Sequence, residues 1–227
     1  MQKKISPIEY ESLMSFTRQH FVEYYDLQSE LADHLANGIE QQWEHNPQID
    51  FTTALQAEFK KFGIFGFSDV VEQRSKVLSK RYYRLLWSYF KQFFGLPLII
   101  GSVAAVAGIR VLLALNEWVF PVLLFMVIAV SIVRVTRIRK NYNAKVKAGG
   151  RKWLLEDIIY GCGGVGVLMN VPLQLYINIK TVPSGTMLWV LSFVIVLISI
   201  YDYIVLWKIP SQAEEHLQRT YPEYKLV

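Results

Sequence analysis

The sequence predicts an all-α membrane protein: a small N-terminal cytosolic helical domain followed by a four-helix transmembrane bundle. Three observations predict it. Apolar residues recur at four-residue steps through the first part of the chain, the signature of helices with one buried face. Beyond residue 93 come apolar segments close to the roughly 20 residues that a helix needs to cross about 30 Å of hydrocarbon. Between the second and third of these lies a basic run with no acidic residue, holding Arg134, Arg137, Arg139, Lys140, Lys145, Lys147, Arg151 and Lys152.

Composition agrees. The chain has 227 residues, 52% of them hydrophobic, and a mean hydropathy of +0.24. That is too apolar for an ordinary soluble domain. The net charge of +5 sits largely beside apolar segments, where it serves topology and contact with anionic lipid rather than nucleic acid. The single cysteine, Cys162, excludes an intrachain disulfide and a cysteine-based zinc site. Met1 to Glu9 carries two lysines with no apolar core behind them, so no secretory signal peptide is expected.

In the first domain, residues 1–92, Ser6-Pro7 starts a helix, Ser6 as cap and Pro7 in the first turn. Ile8, Leu13, Phe16 and Phe21 follow at roughly helical spacing. Leu27, Leu31, Leu35, Ile39 and Trp43 make one stripe along a second helix, which Asn46-Pro47 ends. Asp50 caps a third, with Phe51, Ala54, Leu55 and Phe59 on one face and Gly63 as its stop. Ser68 opens a fourth, long helix, rich in arginine, lysine, tyrosine and tryptophan from Arg74 to Lys91, which suits the headgroup zone.

The stretch YYDLQSELADHLANGIEQQW, the Asp-Phe-initiated helix ending FKKFG, and GFSDVVEQRSK together resemble the HAAS-type helical signalling domain. That module precedes membrane helices in bacterial regulatory proteins and occurs near PadR-type regulators. The chain is also similar to uncharacterised integral membrane proteins of Bacteroidetes bacteria. The resemblance covers residues 20 to 80. It implies a regulatory or adaptor role, a bacterial source and a cytosolic protein partner bound through residues 1–92.

The membrane part, 93–207, is expected to hold spans at about 94–115, 118–135, 158–177 and 187–207. A basic cytoplasmic loop covers 134–152, and 208–227 forms a cytoplasmic tail. The positive-inside rule places that loop and both termini on the cytoplasmic face of an inner, multi-pass membrane. Gly101, Ala105 and Gly108 share a face of the first span, and Cys162 and Gly166 are four apart in the third, spacings that suit close helix packing. The glycine run Gly161 to Gly166 lacks the preceding strand that a nucleotide-binding loop requires. Pro210-Ser211 starts a tail helix with Ala213 and Leu217, and Tyr221-Pro222 ends it.

Ionisable residues in apolar segments are functional candidates by default. Here they are Arg110, Glu156, Asp157 and Asp202. Glu156, Asp157 and Asp202 are expected at one depth, near the inner surface, where they could bind a cation or relay protons. The plainer reading has Glu156 and Asp157 favouring a helix N-terminus and Asp202 pairing with the basic loop. Arg110 is expected to reach outward to the interface. His20, Glu30, Asp33 and His34 lack the further partner that a zinc site needs. No catalytic motif is present, and no catalytic, metal or cofactor residue is assigned. The favoured function is therefore a non-enzymatic regulatory or adaptor protein that contacts lipid and a cytosolic partner, with a homo-oligomer left open. The alternative is a small oligomeric transporter or ion-conducting protein that uses the inner carboxylates. An enzyme acting on lipid ranks last.

Overall fold

The computed structural model describes residues 3–162, 170, 173–174, 177, 184–222 and 224. Every regular element among the described residues is helical. The helices are α1 (Pro7–Gln19), α2 (Tyr25–His45), α3 (Phe51–Lys60), α4 (Ser68–Gln92), α5 (Leu98–Leu115), α6 (Val119–Gly149), α7 (Leu154–Tyr160), α8 (Gly185–Tyr203) and α9 (Ala213–Thr220). A π-helical turn, Ile204–Lys208, and one further turn, Ile209–Ser211, prolong α8. Among the described residues, three helices are long and apolar enough to cross a membrane: α5, α6, and α8 with its extension to Ser211.

The chain divides into two compact units. One comprises Met1–Ser79 with Gly149–Asp157, and the other Lys80–Ala148 with Ile158–Val227.

In the first unit the starts and stops follow the local chemistry. Ser6 and Glu9 form a reciprocal capping box on α1, and Asp50 accepts the Thr53 N–H at 3.0 Å to cap α3. The stripe Leu27, Leu31, Leu35, Ile39 and Trp43 is fully buried, and α2 packs against α1 and α3. Phe16, Phe59, Phe62 and Phe67 close one end as an aromatic cluster, with Phe62–Phe67 ring centres 4.8 Å apart. The face expected for α1 needs correction. Leu13 and Met14 are buried, whereas Ile8 and Phe21 are exposed. The helix stops at Gln19, so Phe21 lies beyond it and cannot share its stripe.

In the second unit α5, α6 and α8 meet at Leu113, Phe120, Leu124, Leu191 and Ile195. The expected basic loop is helix: α6 runs unbroken to Gly149. No glycine or proline interrupts 122–148, and arginine, lysine and alanine sustain a helix outside the apolar zone as well as in it. Gly150, at φ +65°, then supplies the left-handed residue that ends helices. The face of Gly101, Ala105 and Gly108 is exposed. Among the described residues, a Cβ at Gly101 or Gly108 would meet no atom within 4 Å. The first span begins at Leu98, after Gly95 and Pro97, rather than at Phe94. The third expected span, 158–177, with its Cys162–Gly166 pair and Pro172, lies largely outside the described residues. The tail is not merely solvated, for Ala213 and Leu217 of α9 are buried.

Candidate functional site

In the first unit, the segment that follows α6 is clasped to the start of α2. The Tyr25 N–H donates to the Lys152 carbonyl at 2.7 Å. The Leu154 N–H donates to Asp26 Oδ1 at 3.1 Å. Asp26 therefore serves the open N-terminus of α7 from another helix, as a cap residue would. The Lys152 ammonium lies 3.0 Å from Glu23 Oε2 and 3.6 Å from Asp157 Oδ1, and 4.8 Å from the centre of the Tyr24 ring. Tyr24 donates its hydroxyl proton to Asp157 Oδ2 at 3.0 Å. Arg151 lies over Tyr25 at 4.6 Å, and the Trp153 ring meets Tyr25 edge-on at 5.3 Å.

Burial and the Asp157 carboxylate push the Tyr24 phenol above its ordinary range. Partial burial opposes the Lys152 charge, but the Glu23 hydrogen bond and the Asp157 carboxylate outweigh it and raise Lys152 above the usual lysine range.

Beside the clasp lies a groove of about 300 Å³, lined in part by His20, Phe21, Tyr24, Val71 and Glu72. Phe21 is unusual. The Phe21 N–H donates to the Arg18 carbonyl and the Val22 N–H to the Thr17 carbonyl, each at 3.1 Å. Those two bonds are the Schellman ending of a helix, whose left-handed position glycine ordinarily fills. Phenylalanine fills it here at φ +64°. A left-handed backbone costs an L residue about 1–2 kcal/mol, and the ring, 91% exposed, recovers nothing by packing. Ile64 of the same unit is 99% exposed. Helical spacing alone puts Phe21 on the face of α1, but α1 ends at Gln19, ahead of the buried Val22.

The carboxylates expected at one depth belong to different units and have separate partners. Asp157 is held by Lys152 and Tyr24, and Glu156 is buried in the first unit. Asp202 is only 4% exposed and lies in the second unit, with Oδ2 at 2.6 Å from Ser131 Oγ. Its Oδ1 has no hydrogen-bond partner among the described residues. Asp202 does not pair with the basic segment. No group of three His, Cys, Asp or Glu side chains among the described residues is placed to hold a metal ion.

The four residues weighed for zinc are dispersed as well. His20 bonds the Phe16 carbonyl, Glu30 pairs with Arg74, Asp33 accepts from Tyr10, and His34 meets the Phe62 ring. Arg110 sits 5.7 Å from the Trp189 ring centre, near the first turns of α8.

The basic residues divide into distinct roles. Arg134 Nε donates to the Leu206 carbonyl at 3.1 Å and its guanidinium lies 5.4 Å from the Trp207 ring centre. Arg139 donates to the Gly161 carbonyl at 2.9 Å. Lys145 meets Tyr224. Arg137, Lys140 and Lys147 are exposed.

Comparison with known proteins finds no match: no family model, curated protein or solved structure is significantly similar to this chain.

Proposed function

We propose that this is a non-enzymatic integral membrane protein that works as a regulatory or adaptor protein. Its small N-terminal helical unit, of the HAAS type that the sequence resembles, binds a cytosolic protein partner, and its four transmembrane helices anchor it. In this reading the third span lies at 158–177 and the membrane is a bacterial inner membrane. The N-terminus, the basic end of α6 and the tail face the cytoplasm, as the excess of lysine and arginine directs.

The observation that carries the reading is Phe21. A strained backbone position occupied by an exposed aromatic ring lowers stability and adds nothing to the core, which is the pattern expected where a side chain is kept for a partner. The clasp supports the regulatory half. The segment that follows α6 is built into the same unit as Phe21.

The test is affinity purification of the full-length protein in mild detergent, wild type beside Phe21→Gly. Glycine suits the left-handed position, so the variant is expected to fold with stability equal to wild type or up to about 1 kcal/mol higher, and to lose its bound partner. Equal recovery of the same proteins with both would overturn the reading.

A second reading rests on Asp202. A carboxyl buried in an apolar helix, with one oxygen lacking a partner among the described residues, suits passage of protons or a cation. Flux measured in proteoliposomes should vanish with Asp202→Asn. Flux that persists in the variant, or no flux in wild type, removes this alternative.

A further inference from the structure

On the second unit a groove of about 360 Å³ runs along α6 and is lined by Ala129, Val130, Val133, Arg134, Arg137 and Trp207. We propose that it is a binding site for one anionic phospholipid, the headgroup phosphate held by Arg134 and Arg137 and the upper acyl chain lying along Val130 and Val133.

The argument begins with the helix period. Positions 130, 133, 134 and 137 recur at three- and four-residue steps, so they share one face of α6. Along that face the chemistry changes in order, from alanine and valine to two arginines. From Val130 to Arg137 the helix rises about 10 Å at ~1.5 Å per residue, which is the scale on which a phospholipid passes from acyl chain to phosphate. The exposed valines would be out of place facing water. The arginines would be out of place deeper in hydrocarbon. An amphipathic anion satisfies both.

A second feature fixes the level. Leu206 lies in the π-helical turn that prolongs α8, and residue 210, which would bond its carbonyl in an α-helix, is proline and has no N–H. Arg134 Nε–H donates to this carbonyl instead, at 3.1 Å. One bond thus aligns the places where the two helices change from apolar to basic, Val133–Arg134 in α6 and Trp207–Lys208 in α8. It also orients the Arg134 guanidinium, with Trp207 stacked against it at 5.4 Å. Tryptophan at this level suits the boundary between headgroup and hydrocarbon.

Finally, neither Arg134 nor Arg137 has an ion-pair partner among the described residues. The Nη groups of Arg134 remain beside Arg137 to form the charge-assisted, forked hydrogen bonds that guanidinium makes with phosphate. An acidic peptide would match the arginines but not the apolar half of the groove. A basic pocket where the apolar part of membrane helices gives way to charge is also where anionic lipid heads are recognised.

The experiment is native mass spectrometry of the full-length protein from mild detergent, titrated with phosphatidylglycerol or phosphatidylcholine of the same chains. One phosphatidylglycerol should bind with about tenfold preference, and Arg137→Gln should cut its affinity about tenfold while leaving phosphatidylcholine unchanged. Lys140→Gln removes the same charge from an exposed position one turn away and should change nothing. Because Arg137 is exposed and Arg134 keeps its bond to Leu206 in that variant, failure to fold is not expected, and an unchanged elution volume checks it.

In vesicles, phosphatidylglycerol with brominated chains should quench wild-type tryptophan fluorescence more than brominated phosphatidylcholine does, with the excess lost in Trp207→Phe. Equal binding of the two lipids, an equal loss with Lys140→Gln, or displacement by millimolar inorganic phosphate would each overturn the proposal. The last would mark a plain anion site.

Discussion

The two units bury their apolar residues by opposite rules. In the first, the α2 stripe from Leu27 to Trp43 is covered by α1 and α3, and polar contacts hold the rim. In the second, the most apolar windows are the least covered: 6% of that in α5, 17% of that in α6 and 50% of that in α8 is buried within the chain. Water would not tolerate this second pattern, because the apolar surface it leaves open is large and continuous. The same composition that makes a core in one unit makes an outer surface in the other. Burial within the chain, rather than hydropathy alone, separates them. The polar groups follow the same division. In the first unit Glu23, Tyr24, Asp26, Lys152 and Asp157 meet in the clasp. In the second, Ser131 and Asp202 form a buried pair, and Arg134 bonds the Leu206 carbonyl where the apolar stretch ends.

The largest expected effect tests this contrast directly. Leu35→Ala, inside the first core, should lower stability by about 2–5 kcal/mol, because it removes buried methyl groups and leaves a cavity. Val103→Ala, on the exposed face of α5, should change it by no more than about 0.5 kcal/mol. Denaturant unfolding of the full chain in detergent, followed by circular dichroism, measures both. Similar losses at the two positions would break the comparison.

A smaller effect is expected at the clasp. Asp26→Ala removes the acceptor for the Leu154 N–H and should cost about 1 kcal/mol, the usual worth of a cap. Limited proteolysis should then cut sooner near Arg151 and Lys152. An unchanged cleavage rate would show that the aromatic contacts of Tyr25 hold the segment unaided.

The smallest effects are pH-dependent and run in opposite directions in the two units. Lys152 and Tyr24 are raised in the fold. Their contribution is complete below the unfolded lysine and tyrosine values, near pH 10, and is lost as pH rises through the folded ones. His216 is lowered by burial beside Tyr89, outweighing the pull of Glu215. Its contribution is complete above about pH 6.5 and is lost as pH falls through the folded value. Melting curves from pH 5 to 11 should show a shoulder at each end, each worth up to about 1 kcal/mol. Lys152→Met should blunt the alkaline shoulder and His216→Gln should remove the acid one.

Much of this was legible in the sequence because it depends on neighbours only a few residues away. Ser6, Asp50, Asn46-Pro47 and the Leu27–Trp43 stripe act through the period of one helix, so residue order determines them. The apolar stretches of α5, α6 and α8, and the places where α6 and the extension of α8 turn basic, are likewise local. Tertiary structure decided the rest. That Asp26 caps a helix more than a hundred residues away, that Gly38 in mid-helix makes room for the buried carboxylate of Glu58, and that the Leu206 carbonyl, to which Pro210 can offer no N–H, is met by Arg134 are facts of proximity across the fold. The sequence lists which groups need a partner. Only the packing of one helix against another decides which partner each one finds, because that choice is fixed by distances in space that no spacing along the chain encodes.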